Sequence, residues 1–521
     1  MSTKSSDHLF QLIHALSKSE KRYFRLFSSC LNSASDKKFL HLFDLIEKQK
    51  VYDERVLLQR SKHIKPLQLH NLKANLRNQI LRSLKLFSMR NSTDMQLRDL
   101  NTYSQILFNK GLYEQSVRMI DKAKKIAAAH DRSVLLLDAI EQERNLLPHT
   151  ISARNTERIN KVIQETRTVT KSIDNINRFS NLNARLNSYY VRIGFIRNRN
   201  DHRSVKKFFF GSLPSYKEKE LSFAERLYLY SAFTSYYFFV QDFRNGKKFA
   251  RKYVGLFEKE PGRILQKPEL YIKGLNQLLV AENKLFQFRE FEETYKKLLR
   301  VHSIKGFHLT ENIQVMLFKY KYMHKINQYF MMGDFTGGTK IMTVAENDLD
   351  RFAKRLDRHY VLLFYYKVAC LYFGAENFKR ALLWLNKIIN SKDVDLREDI
   401  LSFARILNLI CHFELGNFEL VSHHIRSTYR FLLKKEGLLK YHHYILDFMR
   451  NLDDDSYGKK LIREFSDLKK KLVPLEDHAY EKRPLLYFDI ISWLESKISG
   501  RSVENIIREK FKTRTAQKKK R

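Results

Sequence analysis

The sequence has 521 residues and a formal net charge of +39, with 96 lysines and arginines against 57 aspartates and glutamates. Only 16 glycines and 7 prolines occur, and this scarcity of turn-forming residues argues against an all-β protein with many short strands. A chain of this length exceeds what one compact core supports, whereas an array of stacked helical units grows without that limit.

The positive charge is spread along the whole chain. Residues 1–130 carry +13, residues 131–260 carry +10, and the remaining half carries +16. An evenly basic surface attracts nucleic acid or another acidic partner, but it does not locate a binding site.

Cysteine usage and hydropathy bound the compartment. Cys30, Cys370 and Cys411 are too far apart in sequence for a paired metal motif or a disulfide framework, which favours a reducing compartment. The N-terminus lacks the apolar core of a signal peptide. The longest uncharged run, Leu227–Gln241, is shorter than the roughly 20 residues that span a bilayer. We therefore expect a cytoplasmic protein without a membrane segment.

Residues 1–92 predict a helical cap region that precedes the repeats. Ser17-Lys18-Ser19-Glu20 has the form of a capping box and should open a helix, and a second helix is expected around Phe39–Ile46. Pro66 suits the first position of a long third helix. Its apolar face, spaced at three- and four-residue steps, consists of Leu69, Leu72, Leu76, Ile80, Leu84 and Phe87. A short segment at Tyr52–Arg60 followed by this helix also fits a helix-turn-helix, which we keep as a minor alternative.

From residue 93 to residue 435, a helical run, a tight polar break and an aromatic residue recur. The clearest breaks are Met332-Gly333-Asp334-Phe335, Glu376-Asn377-Phe378 and Leu415-Gly416-Asn417-Phe418, and Asn109–Tyr113 begins the series. The later aromatics, which advance by 48, 44, 43 and 40 residues, are Phe243, Phe291, Phe335, Phe378 and Phe418. This spacing predicts an all-α array of antiparallel hairpins, each burying its apolar face on the next.

The breaks resemble the tetratricopeptide repeat, a family of paired antiparallel helices in units of about 34 residues. The shared features are a small residue and an aromatic at the turn, then a small residue three positions later. The residues that carry the resemblance, and that we expect to pack at the turns, are Gly111, Tyr113, Phe243, Phe291, Gly333, Phe335, Phe378, Ala381, Gly416 and Phe418. The resemblance implies a right-handed superhelix, an α-solenoid of about eight hairpins, that binds proteins on its concave face.

The units of this chain are longer than those of the family, so extended helices are expected. The interval from Tyr113 to Phe243 leaves room for two hairpins without a marked break, turning near Pro148–Arg154 and Arg199–His202. At each break the small residue should let two helix backbones approach while the aromatic fills the gap. We therefore expect Gly416→Val to crowd its turn.

The C-terminal part departs from the repeat spacing. Residues 436–500 predict a helical cap with helices at Tyr441–Met449, Lys459–Lys471 and Leu485–Ser496. Residues 501–521 form a basic tail, and its end, Lys518–Arg521, is expected to be frayed.

Two segments approach a ligand-binding motif without completing it. Gly333–Lys340 nearly spells a phosphate-binding loop, but Thr339 and Lys340 are in reverse order and the preceding segment has a helical pattern. We interpret it as a hairpin turn. Asp453–Glu464 lacks two features of a calcium loop, so we interpret it as an acidic helix cap.

The histidine pairs and the cysteines do not form a catalytic set. His423-His424 and His442-His443 point in different directions on a helix and are interpreted as part of a basic helix face. Cys370 and Cys411 fit small apolar core positions. We expect no catalytic residue, no metal and no cofactor.

Two stretches are more basic than the rest of the chain. Arg55–Thr93 has nine lysines and arginines without an acidic residue, and Asn175–Lys217 has nine against Asp201 alone. The candidate contacts to nucleic acid or an acidic partner are Lys73, Arg77, Arg82, Lys85, Arg192, Arg197, Arg199, Arg203, Lys206 and Lys207. Arginines interleaved with aromatics suit single-stranded nucleic acid, although aromatics in the core beside solvated charges explain the same pattern.

Together these observations favour a non-catalytic helical-repeat scaffold that binds a protein or peptide partner. The alternatives are a protein that binds single-stranded RNA or DNA through its basic surface, or a regulator with a helix-turn-helix-like N-terminal region. An enzyme has no support in the sequence.

Overall fold

The computed structural model describes the chain apart from residues 1–7, 30–33, 62–63, 90–91, 150–154, 194–195, 197, 343–354, 392–397, 435–438, 452–458, 479–480, 482–487 and 521. The side chains of residues 34–37, 155, 191–193, 398, 421–422, 434 and 517–520 also lie outside the description. Throughout the described residues the protein is helical and has no β-strand, as the sequence predicts. The chain divides into two units, Met1–Asp174 and Asn175–Arg521, with the boundary inside one long helix.

The described residues of the first unit form eight helices and the first part of a ninth. These are α1 (His8–Ala15), α2 (Lys18–Ser29), α3 (Ala34–Glu47), α4 (Glu54–Arg60), α5 (Pro66–Ser88), α6 (Thr93–Asn109), α7 (Tyr113–Ala129), α8 (Ser133–Leu146) and α9 (Asn155–Ile193), with a 3-10 turn at Leu147–His149. One apolar core joins α1 to α5, and another joins α6 to α8.

Local sequence signals set the helix starts of this unit. The Ser17 N–H donates to Glu20 Oε2 at 2.7 Å and the Glu20 N–H donates to Ser17 Oγ at 3.3 Å, so the predicted capping box is confirmed. Pro66 is the first residue of α5, also as predicted. The apolar face of α5, including Leu69, Leu76 and Ile80, lies in the core formed with α1 to α3.

The second unit continues from α9 through sixteen further helices in its described residues. These are α10 (Arg199–Ser212), α11 (Phe223–Phe239), α12 (Phe243–Lys259), α13 (Gly262–Gln266), α14 (Pro268–Lys284), α15 (Phe288–Arg300), α16 (Glu311–Met332), α17 (335–342), α18 (Arg358–Gly374), α19 (Phe378–Ile389), α20 (Glu398–Glu414), α21 (Phe418–Lys434), α22 (Lys440–Arg450), α23 (Lys459–Leu472), α24 (Ile490–Ser499) and α25 (Val503–Lys520). Further 3-10 turns lie at Glu218–Glu220, Val301–Ser303 and Val473–Leu475. From α11 onward each helix packs mainly on its neighbours in sequence.

Seven junctions between helices share one backbone turn. The first helix ends at a residue of positive φ, and the next N–H donates to the carbonyl five positions earlier, as in a Schellman motif. The positive-φ residues are Gly111, Asp131, Gln241, Phe286, Gly333, Glu376 and Gly416. The closing residue often caps the following helix as well, because Asp242, Asp334 and Asn377 each accept the N–H three positions further on. Two or three residues therefore suffice to reverse the chain.

An aromatic pair closes five of these turns. In each, the aromatic that opens the second helix contacts a phenylalanine five residues earlier, with ring centroids 5.2–6.1 Å apart. The pairs are Phe108 with Tyr113, Phe238 with Phe243, Phe330 with Phe335, Phe373 with Phe378, and Phe413 with Phe418. The small residue predicted three positions after the aromatic is buried in four of these hairpins, as Ser116, Gly246, Gly338 and Ala381.

Two predictions about the turns are wrong: the position of the turn before α15 and the reason that Gly416 is needed. Phe291 is fully buried inside α15, whereas Phe288 opens that helix after the turn at Phe286. A Cβ at Gly416 would meet no atom within 4 Å, so the expectation that Gly416→Val crowds the turn is wrong. Gly416 is needed for its φ of +71°, which disfavours a side chain. A Cβ at Gly333, by contrast, would lie 2.5 Å from the Arg508 backbone nitrogen.

Two other expectations for the middle and the end of the chain also change. The predicted turn near Arg199–His202 comes earlier, because Asn198 caps α10 and Arg199 begins it. Of the predicted turn near Pro148–Arg154, residues 150–154 lie outside the described residues. Lys518–Lys520, which the sequence predicts to be frayed, are helical and belong to α25, and Arg521 lies outside the description.

None of the helices in the described residues is both long enough and apolar enough to cross a membrane.

Candidate functional site

A cleft of about 1120 Å³ lies within the second unit, between the hairpin helices and the C-terminal segment. One wall comes from the α14–α15 turn, another from α16 and α18, and the third from α25 and the residues before α24. The sequence did not predict this cleft, because its third wall comes from residues more than 100 positions away.

The C-terminal helix α25 forms one wall by packing along the hairpin turns. Phe511 contacts Phe288 edge to face, with ring centroids 4.9 Å apart, and the Arg514 guanidinium lies 4.4 Å from the centre of the Phe286 ring. Glu504 Oε2 accepts both the backbone N–H and the hydroxyl of Thr336, at 2.9 and 2.8 Å. Residues 501–521, predicted as a tail, are therefore built into the unit as far as α25 extends.

The α14–α15 turn differs from the other turns in a way that explains this docking. Its aromatic is Phe288, but the position five residues earlier is Asn283 rather than phenylalanine. Phe288 therefore lacks the phenylalanine that packs on the equivalent aromatic in the five paired turns. Phe511 of α25 contacts its ring instead. Asn283 in turn lines the cleft.

Lys367 provides the cation on the α18 wall. Leu363, Lys367, Cys370 and Gly374 are spaced along one face of α18, and all four line the cleft. The Lys367 ammonium donates to Asn327 Oδ1 at 2.6 Å and lies 5.2 Å from the centre of the Phe330 ring. Burial lowers the pKa of Lys367 to about 8 and raises the pKa of the Cys370 thiol to about 12. The thiol is thus not an activated nucleophile.

A hydrogen-bonded chain behind the wall orients Asn327. His324 is fully buried, and its Nε2 lies 2.8 Å from Asn276 Oδ1 while its Nδ1 lies 3.4 Å from Asn327 Nδ2. Burial lowers the pKa of His324 to about 3, so the ring is neutral at neutral pH. A neutral ring that donates through Nε2 leaves Nδ1 to accept from the Asn327 amide, which turns Asn327 Oδ1 toward Lys367.

The cleft combines apolar walls with a balanced set of charges. Its apolar side chains include Met323, Phe330, Met331, Leu363 and Ile507. Its five acidic residues are Glu290, Glu293, Glu476, Asp477 and Asp489, and its five basic residues are Lys284, Arg289, Lys367, Lys510 and Arg514. Five cations against five anions leave the cleft lining without a formal excess of positive charge, in contrast to the +39 of the whole chain.

The second basic stretch forms a stripe on α10. Arg199, Arg203, Lys206 and Lys207 are all exposed, and none makes an ion pair with a residue that the structure describes. Helical spacing places Arg199, Arg203 and Lys206 on one face, with the 44% exposed ring of Phe210 among them. The side chain of Arg192, and Arg197 as a whole, lie outside the described residues.

The first basic stretch is partly engaged by neighbouring side chains of its own unit. The Lys73 ammonium donates to the Tyr52 hydroxyl at 2.8 Å and lies 3.6 Å from Glu54 Oε2. Lys85 is 3.4 Å from Asp99 Oδ1. The two exposed residues without an ion pair to any described residue are Arg77 and Arg82. Only part of this predicted set is thus available to a partner.

His442 is not part of the basic helix face that the sequence predicts. His442 does not extend a basic face, because it is 2% exposed and its Nδ1 accepts the N–H of Leu439 at 3.1 Å. Its Nε2 is buried without a hydrogen-bond partner among the described residues, and burial lowers its pKa to about 3. His423 and His443 are exposed, as predicted. Residues 453–458 of the calcium-like segment lie outside the described residues.

The other interpretations of near-miss motifs and cysteines are confirmed. Gly333 closes a helix, and residues 335–340 are helical, which is a hairpin turn and not a phosphate-binding loop. Cys370 and Cys411 are free and buried.

The position of Lys367 in the sequence gives a signal of its burial. It is the one charged residue between Arg358 and Glu376, inside a helix that is otherwise almost entirely apolar. A helix that is apolar on all sides is buried in a folded protein, so a lone lysine within it should lie in the interior or at a cavity.

Comparison with known proteins places the chain in no family: no protein-family model matches it, and no curated protein matches it.

Proposed function

We propose that the protein is a non-catalytic cytoplasmic scaffold whose helical hairpins bind a protein or peptide partner. The partner would bind at the rim of the cleft between the hairpin helices and α25. The observation that carries the proposal is the composition of the cleft. Apolar and aromatic walls with both signs of charge suit a protein segment, which brings apolar side chains and mixed polar groups. A nucleic-acid backbone would instead meet five carboxylates there, without an excess of cations to offset them.

The arrangement of the hairpins supports the same reading. Junctions of one kind recur every 40–47 residues from Gln241 to Gly416, as the tetratricopeptide resemblance implies for longer units. On that resemblance we propose that the hairpins wind into a right-handed superhelix. In such an array the partner site is a surface shared by several units, which is the position of this cleft.

Site-specific cross-linking in cells tests the partner proposal. We would replace Phe286, a 49% exposed residue at the cleft rim, with a photoreactive phenylalanine analogue. The same analogue at Phe210, which is 44% exposed on α10, is the matched control. We expect a discrete protein adduct from position 286 that is absent from position 210. The adduct should also disappear when Leu363→Arg places a charge on the cleft wall.

Equal labelling at the two positions would contradict the proposal, as would an adduct at position 286 that Leu363→Arg leaves unchanged. Folding of each variant is checked first by its far-UV circular dichroism.

A second candidate function, binding of single-stranded nucleic acid, is favoured by the α10 stripe alone. Arg199, Arg203 and Lys206 offer charge to phosphates, and Phe210 offers a ring on which a base can stack. The stripe lies outside the cleft, so the two candidate functions use different residues.

A salt titration distinguishes this candidate. Affinity for a fluorescent single-stranded oligonucleotide is measured for the full chain and for a variant with Arg199, Arg203 and Lys206 changed to serine. Loss of three phosphate contacts should reduce the slope of log K against log salt by about 2. The control changes three exposed lysines elsewhere in the unit, Lys219, Lys259 and Lys296, to serine. An equal effect of both variants would show that only net charge matters.

A further inference from the structure

The Lys367 ammonium lacks a counter-charge within the described residues. No carboxylate among them lies within 4.0 Å of it, and its one hydrogen-bond partner is the neutral Asn327 amide. An ammonium has three N–H donors, so two remain for another partner. The cation lies partly buried against Phe330, where water solvates it poorly, and an uncompensated cation in that position is costly.

The surroundings of Lys367 specify what would fit beside it. The α16 and α18 walls bring Met323, Phe330, Met331 and Leu363 to the cleft, and these offer only apolar surface. A volume of about 1120 Å³ is slightly above the range of about 300–1,000 Å³ found for small-molecule sites, so the cleft has room for such a ligand. An occupant that satisfies both features has an anionic head at Lys367 and an apolar body along the walls.

We propose that the floor of the cleft binds a small amphipathic carboxylic acid, with its carboxylate paired to Lys367 and its hydrocarbon chain against Phe330, Met331 and Leu363. This ligand site goes beyond the partner proposal and does not rest on it. The partner would contact the rim at Phe286 and the wall at Leu363, whereas the acid needs in addition the Lys367 ammonium, which the partner does not require.

A singly charged head fits better than a phosphate. Lys367 supplies one positive charge on its wall, which one carboxylate neutralises, whereas a phosphate monoester carries close to two negative charges at neutral pH. Asn327 stays bound to Lys367 in the complex, because the two unused N–H donors serve the ligand.

The test measures binding of dodecanoate to the full chain by isothermal titration calorimetry, below the concentration at which dodecanoate forms micelles. Acetate has the same head without the chain, and dodecanol has the same chain without the charge. We expect one dodecanoate per chain, with affinity at least tenfold above that of dodecanol, since a charge-assisted hydrogen bond contributes roughly that factor or more. Acetate should also bind at least tenfold more weakly, because it lacks the hydrocarbon chain that would be buried against the walls.

Variants then locate the site. Lys367→Met keeps an unbranched side chain, one atom shorter, and removes the charge, so it should weaken dodecanoate at least tenfold while leaving dodecanol unchanged. Lys367→Arg should retain most of the affinity. Lys284→Met removes another cation that lines the cleft and should have little effect.

Three outcomes would overturn the proposal: no saturable dodecanoate binding, equal affinity for dodecanoate and dodecanol, or an unchanged affinity in Lys367→Met. Tighter binding of dodecyl phosphate than of dodecanoate would overturn the choice of a monocarboxylate. Cross-linking at position 286 is scored separately in Lys367→Met. Loss of dodecanoate binding in Lys367→Met with the adduct retained would support the ligand site and show that it does not depend on the partner.

Discussion

Acidification should destabilise the second unit through two buried histidines. His324 in α16 and His442 in α22 are 0% and 2% exposed, and burial lowers the pKa of each to about 3. In the unfolded chain an ordinary histidine has a pKa of about 6.5. Below pH 6.5 the unfolded chain therefore binds two protons that the folded unit does not bind. The histidine contribution is fully present above pH 6.5 and is lost progressively as the pH falls toward 3.

The magnitude follows from the proton count. Each pH unit below 6.5 costs about 1.36 kcal/mol for each histidine that stays neutral in the folded state. Between pH 6.5 and pH 5.0 this amounts to about 2 kcal/mol for each residue and about 4 kcal/mol for the pair. The pKa values of about 3 lie far enough below 5.0 that the loss over this interval depends little on their values.

Urea unfolding at pH 7.5 and pH 5.0, followed by tryptophan fluorescence, measures this loss. The chain has two tryptophans, Trp384 and Trp493, and both are buried in the same core of the second unit, so the signal reports that unit. The perturbed protein carries His324→Gln and His442→Gln together. Its free energy of unfolding should fall by about 4 kcal/mol less than that of the unmodified protein over the same pH change.

The neighbouring residue supplies the control. His443 is exposed beside His442, so His443→Gln should leave the pH dependence as it is in the unmodified protein. If the double variant and the unmodified protein lose the same stability between pH 7.5 and pH 5.0, the reasoning is refuted, because the buried rings would then be protonated in the folded state.

Three further perturbations give distinct outcomes. Gly333→Ala places a Cβ 2.5 Å from the Arg508 backbone nitrogen, so we expect faster hydrogen exchange in α25. The Cβ of Gly416→Ala meets no atom within 4 Å, so this variant should lose about 1–2 kcal/mol of folding stability through its positive φ alone and leave hydrogen exchange in α25 unchanged. Phe511→Ala leaves Phe288 without an aromatic partner and should also speed exchange in α25; unchanged exchange would mean that this contact does not hold the helix. Lys124→Met removes an ion-pair partner of the buried Glu143, whose carboxylate lies 2.6 Å from the Lys124 ammonium. Differential scanning calorimetry should show a lower melting temperature for the first unit. A higher melting temperature would contradict the assignment of this ion pair as stabilising.

Local signals allowed the sequence to predict the helices but not all of the turns. Pro66 and the Ser17–Glu20 box act within one helical turn, so their effect can be read directly. Gly333 and Gly416 revealed the repeating turn because glycine favours positive φ. Phe286 has a positive φ that phenylalanine does not favour, so no residue preference marked this turn and the predicted start of α15 is three residues late.

Long-range packing accounts for the other differences. The docking of α25 depends on contacts between Phe511 and Phe288, which are far apart in sequence, and the basic composition of the tail gave no hint of it. The cleft depends on the same contact. Lys367 carried a readable signal as a lone charge in an apolar helix, whereas the neutral state of His324 depends on burial that only the tertiary structure supplies.

The shared turn has a consequence for how the chain can change in length. Because the residue that closes one helix often caps the next, an added residue in the turn would separate these two roles. A single residue added inside a helix would instead rotate the rest of that helix by about 100°. Insertions and deletions should therefore be excluded from the turns and tolerated inside helices, in steps of three or four residues that keep the buried face inward. The intervals from Phe286 to Gly333, from Gly333 to Glu376 and from Glu376 to Gly416 shorten by steps of this size.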